Sequence, residues 1–172
     1  MDPEEKMDPR ELIGMIAFFS EALNGDEIFA LASGAERRTF AAGQAVLGEG
    51  DPGESMFVIE SGQVAVKIGG EPIADLFAGD FVGEMSLLTG APRNATVTAV
   101  EPVAAYEIRK EVLAPVLAES PTLVDRLAET MEKRQIELDR VYGSGAWGMV
   151  RPGVAELHGM IRKFYESAMS KA

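Results

Sequence analysis

The segment Phe81–Val97, which reads FVGEMSLLTGAPRNATV, decides how the rest of the chain is interpreted. Gly83 has no Cβ where backbone would approach a ligand, and Glu84 to Leu88 can form one helical turn. Thr89-Gly90-Ala91-Pro92 then reverses the chain and leads to Arg93. A helix start offers free N–H groups to an anion, and an arginine adds a two-pronged cation for phosphate oxygens. The segment therefore predicts a phosphate site.

Glu84 is the unexpected member of this segment, because a carboxylate repels a phosphate. It fits the site if it accepts a hydrogen bond from a hydroxyl next to that phosphate. A ribose 2′-OH is such a hydroxyl, and a site that requires it rejects deoxyribose.

Short apolar runs separated by turn signals surround this segment, from about Arg37 to Glu107. Many short strands with glycine at the corners predict a small antiparallel barrel or jelly roll. Within it, Val64, Val66 and Ile68 alternate with polar or small residues, which predicts one apolar face.

Helical patterns flank the predicted barrel on both sides. One helix is predicted from Pro9 to Leu23, capped by Asp8, and a second short helix is capped by Asp26. After the barrel, helices are predicted at Arg109–Glu119, at Pro121–Val141 with Ile136 and Leu138 among its apolar positions, and at Val154–Met169.

The charge balance is strongly negative: 28 Asp and Glu against 16 Lys and Arg give a formal net charge of −12. Such a chain repels polyphosphate at long range, so we expect no nucleic-acid partner. The longest strongly apolar stretch, Leu12–Phe19, is far shorter than the roughly 20 residues of a membrane-spanning helix. We therefore expect no direct membrane insertion and a cytoplasmic location, as a separate chain or as part of a larger membrane protein.

The sequence gives little indication of a catalytic site or a metal site. No cysteine is present and His158 is the single histidine, so we expect no metal site and interpret His158 as a surface residue. Gly48–Gly53 matches G-x-G-x-x-G, but Pro52 and a following strand indicate a barrel corner. We expect no enzyme, no catalytic residue and no cofactor.

Every fixed position of FVGEMSLLTGAPRNATV resembles the phosphate-binding cassette of the cyclic nucleotide-binding domain family, F-x-G-E-(L/M)-(A/S)-L-(L/I)-x-G-x-P-R-x-A-(T/S)-V. The upstream segment EGDPGESMFVIESGQVAV is similar to the early barrel strands of that family. The resemblance covers about Phe18 to Leu138, and it includes the domains of bacterial cyclic-nucleotide-regulated channels.

The resemblance implies a mainly β fold: a jelly-roll, or double-stranded β-helix, barrel with flanking helices. It divides the chain into N-terminal helices at 1–35, a β-roll at 36–108 with its cassette at 81–97, hinge and lid helices at 109–142, and a linker with an amphipathic helix at 143–172.

The resemblance also implies roles for single residues. Glu84 binds the ribose 2′-OH, while Arg93 and backbone N–H groups near Ser86 hold the cyclic phosphate. Lys133 and Arg134 lie on a helix that closes over the base, where a charged solvent face is the alternative. The expected ligand-binding residues are Gly83, Glu84, Met85, Ser86, Arg93, Asn94 and Ala95, with Val66, Ile68, Lys133 and Arg134 as further pocket or lid residues.

The function implied is that of a regulatory sensor in signal transduction, which binds cAMP or cGMP and converts binding into movement of C-terminal helices. Asn94 stands where other members carry Ala, Ser or Thr, so the base preference stays open with cAMP favoured. The alternative is a structural or protein-interaction module with no nucleotide bound. The partner is a channel, another effector protein, or a second copy bound through the C-terminal helices. Trp147 either stacks on the base or anchors the last helix.

Overall fold

The computed structural model describes residues 6–143 and 153–169. Three helices come first: α1 (Pro9–Gly14), α2 (Ala17–Ala22) and α3 (Gly25–Gly34). Strands follow: β1 (Glu36–Phe40), β2 (Ala45–Leu47), β3 (Ser55–Ser61), β4 (Val64–Ile68), β5 (Glu71–Leu76), β6 (Phe81–Val82), β7 (Thr96–Ala99) and β8 (Val103–Arg109). Helix α4 (Glu84–Thr89) connects β6 to β7, and α5 (Lys110–Glu119), α6 (Leu123–Tyr142), α7 (Val154–Phe164) and α8 (Glu166–Met169) follow the last strand.

The strands form two antiparallel four-stranded sheets with the orders β1-β8-β3-β6 and β2-β7-β4-β5. This exchange of strands between two facing sheets is the topology of an eight-stranded jelly roll. The predicted fold class, a mainly β roll with flanking helices, is therefore confirmed.

The alternation predicted for β4 is present, because Val64 and Val66 are buried while Lys67 is exposed. Strand β3 differs, since every residue from Ser55 to Glu60 is buried. One of its faces, with Phe57 and Ile59, belongs to the barrel interior, and the other packs on helices. The sheet β1-β8-β3-β6 therefore separates two apolar cores.

The second core joins the helices at both ends of the chain to the outer face of that sheet. Phe81 lies in it, with its ring centroid 5.1 Å from that of Phe18 and 5.9 Å from that of Phe19. The N-terminal helices thus anchor the first residue of the cassette. Among the described residues, no helix has the length and apolar character needed to cross a membrane.

The helix boundaries correct several sequence predictions. Asp8 caps α1 as predicted, but the first helix is interrupted by the extended backbone of Ile16. Helix α3 is capped by Asn24 and not by Asp26, because Asn24 and Glu27 form a reciprocal capping box. The last predicted helix is broken at Tyr165, and Ile136, one of the apolar positions predicted for the long helix after the barrel, is 47% exposed.

Candidate functional site

The cassette leaves the barrel at Gly83, which has a φ of 86° and precedes the first turn of α4. A side chain is excluded there for a second reason. A Cβ on Gly83 would lie 2.8 Å from Arg93 Nη1 and 3.0 Å from the Ser55 carbonyl oxygen. Glycine at this position therefore lets the cassette turn and also lets Arg93 pass beneath it.

A cavity lies between the cassette, the end of the barrel and helix α6. Its walls combine apolar barrel side chains with polar groups from α4 and α6. The lining residues are Leu47, Phe81, Val82, Gly83, Glu84, Met85, Ser86, Asn94, Ala95, Val97, Arg134, Gln135, Leu138 and Asp139. The structure thus brings together six of the cassette residues selected from the sequence, and Arg134 with them.

Arg93 lies behind the cassette and does not line the cavity. It is 8% exposed, and its Nη1 donates to the carbonyl oxygens of Ser55 (2.5 Å) and Gly83 (3.4 Å). Its Nη2 donates to Ser55 Oγ at 3.1 Å, and this hydroxyl donates to Glu107 at 2.7 Å. The arginine is therefore held by the backbone of the cassette and of β3.

The charge of Arg93 is only indirectly compensated. Burial lowers the pKa of its guanidinium, and the negative charges of Glu107 and Glu84 act in the opposite direction. Within the described residues, its hydrogen-bond acceptors are neutral oxygens. A guanidinium stays protonated in proteins, so this buried cation supplies a positive potential directly behind the cavity.

Glu84 lines the cavity but already has a partner on α6. Arg134 Nε donates to Glu84 Oε1 at 2.8 Å, and Arg134 Nη2 donates to the Phe81 carbonyl oxygen at 3.0 Å. The guanidinium also lies 3.6 Å from the centroid of the Phe81 ring. One side chain of α6 therefore binds the cassette by a charge-assisted hydrogen bond, a backbone contact and a cation–π contact.

The Ser86 hydroxyl is used within the cassette, because it donates to the Ala91 carbonyl oxygen at 2.8 Å. The Gly90 N–H in turn donates to the Ser86 carbonyl oxygen at 2.9 Å. These two bonds close the loop after α4 and fix the direction in which the chain continues to Arg93.

Sequence reasoning missed the residues that α6 adds beyond Arg134. Gln135, Leu138 and Asp139 line the cavity, and Gln135 Oε1 is buried with no hydrogen-bond partner among residues 6–143 and 153–169. Positions 134, 135, 138 and 139 form one stripe of a helix, so the helical period applied to Arg134 could have identified them. An unsatisfied buried acceptor costs about 1–3 kcal/mol, which a donor on a ligand would recover.

Other expected pocket residues lie elsewhere. Val66 is fully buried inside the barrel, and Ile68 packs against the same core. Lys133 faces α2, where its Nζ lies 3.8 Å from Glu21, because one residue along a helix turns the side chain by about 100°. These three residues do not line the cavity.

The remaining sequence predictions concern single residues outside the cavity. His158 is not a free surface residue, because its Nε2 lies 2.7 Å from Asp125 and connects α7 to α6. Trp147 lies outside the described residues. Within the described ranges, no cluster of three metal-ligating side chains occurs.

Comparison with known proteins identifies the part of the chain that supplies the barrel and cassette walls of this cavity. Residues 37–120 match the family model described as the cyclic nucleotide-binding domain. A cGMP-dependent protein kinase of Toxoplasma gondii is 35% identical over 108 residues, which are 63% of this chain and 11% of that protein. A cAMP-dependent protein kinase regulatory subunit of Hypocrea atroviridis is 37% identical over 91 residues, 53% of this chain and 20% of that protein.

A solved structure shows the same architecture. A cyclic nucleotide-binding domain from Methylobacillus flagellatus superposes with a TM-score of 0.63 at 27% identity, over 78% of this chain and 80% of that one. The chain spans a fifth or less of the length of the two kinase-related proteins. Its β-roll, cassette and first following helix, residues 37–120, belong to the cyclic nucleotide-binding domain family.

Proposed function

We propose that this chain is a sensor module that binds a 3′,5′-cyclic nucleotide in the cavity between the cassette and α6. The observation that carries the proposal is the meeting of a cassette carboxylate, Glu84, with the buried cation of Arg93 behind the same wall. A sugar hydroxyl and a phosphate are neighbouring groups in such a ligand, and they require a hydrogen-bond acceptor and a cation on the same side of the site.

In this proposal the phosphate binds on the cassette side of the cavity, near Ser86 and in front of Arg93. The guanidinium exchanges part of its hydrogen bonding to Ser55 for the phosphate oxygens. The exchange favours the charged ligand, because Arg93 has only neutral acceptors among the described residues. Asn94 and Ala95 form the adjacent rim.

The ribose 2′-OH donates to Glu84, which must first release Arg134. Since Arg134 is a residue of α6, this exchange couples ligand binding directly to the position of that helix. The ligand-free and ligand-bound arrangements of α6 differ in population only through contacts that one has and the other lacks. The Glu84–Arg134 pair is such a contact. The C-terminal helices would move as a consequence of its release.

The base occupies the part of the cavity between Leu47 and Val97 of the barrel and Leu138 of α6. We favour cAMP over cGMP, because the 6-amino group of adenine can donate a hydrogen bond to Gln135 Oε1, which has no partner in the described part of the chain. The guanine N1–H offers a competing donor, so the two nucleotides are compared directly in the experiment below.

A second candidate is a structural or protein-interaction module in which the cavity stays unused. The observation in its favour is that Arg93 and Glu84 both have internal partners. In either case we propose a cytoplasmic regulatory domain without catalytic turnover. Its partner would be a channel or other effector protein, or a second copy bound through the C-terminal helices.

Isothermal titration with cAMP and cGMP separates the two candidates. We expect saturable binding with one site per chain, tighter for cAMP, and a loss of about 1.5–3 kcal/mol in Arg93→Ala, the scale of a hydrogen bond to a charged group. Lys133→Ala is the control, because this residue carries the same charge but is 72% exposed and lies beside Glu21 of α2, outside the cassette. Absence of heat with both nucleotides at high micromolar concentration would favour the interaction module.

A further inference from the structure

The C-terminal helices lie outside the residues that match the family model, and they contact the cassette itself. Tyr165, between α7 and α8, is 1% exposed, and its hydroxyl donates to the Leu87 carbonyl oxygen of α4. Burial raises the pKa of this hydroxyl, so it stays protonated and remains a donor at neutral pH. Leu87 directly follows Ser86, which lines the cavity.

Phe164 makes a second contact at the end of the cassette helix. Gly90 ends α4 with a φ of 74°, and a Cβ there would lie 2.4 Å from Phe164 Cε1. The Phe164 and Tyr165 rings meet edge to face, with centroids 5.2 Å apart. The two aromatic residues therefore cover the last turn of α4 from outside the barrel.

The same pair of rings reaches the helix that follows the barrel. Lys110, the first residue of α5, places its Nζ 3.8 Å from the Phe164 centroid and 5.6 Å from the Tyr165 centroid. Helix α7 also packs on α6 through the buried side chains of Leu157 and Ile161. Residues 154–169 thus contact α4 and α6, which both line the cavity, and also α5, which follows the barrel.

We propose that Tyr165 is a positioning residue for the nucleotide site, and that residues 154–169 are part of the binding unit. This inference rests on the proposed function. The hydroxyl holds the Leu87 carbonyl, and through it the turn of α4 that carries Glu84 and Ser86. Without this bond the cassette samples more arrangements, and binding must then order it at the expense of affinity.

The chain contains a matched control for the test. Tyr106 is also a buried tyrosine whose hydroxyl donates to a backbone carbonyl, that of Met7, and it does not line the cavity. Tyr165→Phe and Tyr106→Phe therefore each remove a buried hydroxyl that donates to a backbone carbonyl oxygen, although Tyr106 also interacts with Glu60. Of the two hydroxyls, that of Tyr165 donates to a residue of the cassette and that of Tyr106 does not.

Calorimetric titration of the full chain with cAMP is the first measurement. We expect Tyr165→Phe to raise the Kd about threefold to tenfold, the range of one lost hydrogen bond, and Tyr106→Phe to leave it within about twofold. Thermal melting of both ligand-free variants checks that their losses of stability are comparable. Equal effects of the two variants on the Kd, or no effect of either, would overturn the inference.

Hydrogen exchange of the Gly90 amide tests the positioning without any ligand. This amide donates to the Ser86 carbonyl oxygen and reports on the closed cassette. We expect faster exchange in Tyr165→Phe and in Phe164→Leu, and wild-type exchange in Tyr106→Phe. If wild type binds neither nucleotide, the proposed function fails by itself. Unchanged Gly90 exchange in both C-terminal variants would refute the positioning role in either case.

Discussion

The Glu84–Arg134 pair offers the sharpest perturbation of the proposed mechanism. We consider Arg134→Met, which keeps an apolar side chain over the Phe81 ring but removes the cation. If a ribose hydroxyl must displace Arg134 from Glu84, then removal of the guanidinium leaves the Glu84 carboxylate free to accept the hydroxyl from the start. Arg134→Met should therefore bind cyclic nucleotide more tightly than wild type, although its ligand-free form is less stable.

The size of the effect follows from the burial of the pair. The side chains of Arg134 and Glu84 are 19% and 14% exposed, and their atoms approach to 2.8 Å. A charge-assisted hydrogen bond of this kind contributes about 1.5–3 kcal/mol, part of which the released guanidinium regains from solvent in wild type. We expect a net gain of about 1–2 kcal/mol, or roughly a tenfold lower Kd.

The assay is titration with cAMP alongside thermal melting of the ligand-free proteins. Lys133→Met is the matched control, because it removes the adjacent positive charge of α6 from a position that is 72% exposed and 3.8 Å from Glu21. It should leave both the Kd and the melting temperature nearly unchanged. A weaker affinity in Arg134→Met would refute the competition, and would mean that Arg134 contributes to binding.

Three further changes test separate parts of the site and fold. Gln135→Met should keep or raise the melting temperature of the ligand-free protein, because it removes an unsatisfied buried oxygen, and should weaken cAMP binding by about tenfold in calorimetry. Gly83→Ala places a Cβ in contact with Arg93 at a residue whose φ is 86°. Both the melting temperature and the cAMP affinity should therefore fall, and wild-type values of both would show that the cassette adapts. Arg10 lowers the pKa of Asp8 in the folded protein below its unfolded-state value. Ionised Asp8 therefore stabilises the fold above its unfolded-state pKa, and this contribution is lost as the pH falls through the lower folded-state pKa. Asp8→Asn should accordingly flatten the acid side of the stability profile in circular dichroism melts.

The sequence predicted the jelly roll and the position of the cassette because both depend on local signals. Glycines at corners, alternation in β4 and the run from Phe81 to Val97 are each visible over fewer than about twenty residues. The same kind of signal placed α5 and α6 to within two residues of their observed bounds.

The contacts that the sequence did not predict join residues far apart in the chain. Glu84 and Arg134 are separated by 50 residues, and Leu87 and Tyr165 by 78. No local pattern encodes such a pair, because it depends on how α6 and α7 cross the sheet. The orientation of Arg93 toward Ser55 is likewise a consequence of tertiary packing, since the cassette pattern specifies the arginine but not its partner.

The N-terminal helices show a different limit. The apolar period from Leu12 to Leu23 continues across the break at Ile16, since residues of both α1 and α2 face the same core. Periodicity alone therefore predicted one helix where there are two. The sequence prediction assigned the cap of α3 to Asp26, but the reciprocal bonds between Asn24 and Glu27 place it at Asn24.

Hydrogen exchange of the whole chain with and without cAMP tests the central claim most directly, because it locates the ligand without any substitution. We predict that saturating cAMP slows exchange at residues 83–95 of the cassette and at 134–139 of α6. Exchange should be unaffected in a separate surface groove between α3 and α5, which is lined by residues such as Ala30 and Val116. Unchanged exchange of both segments with cAMP and with cGMP at high micromolar concentration would contradict nucleotide binding in this cavity.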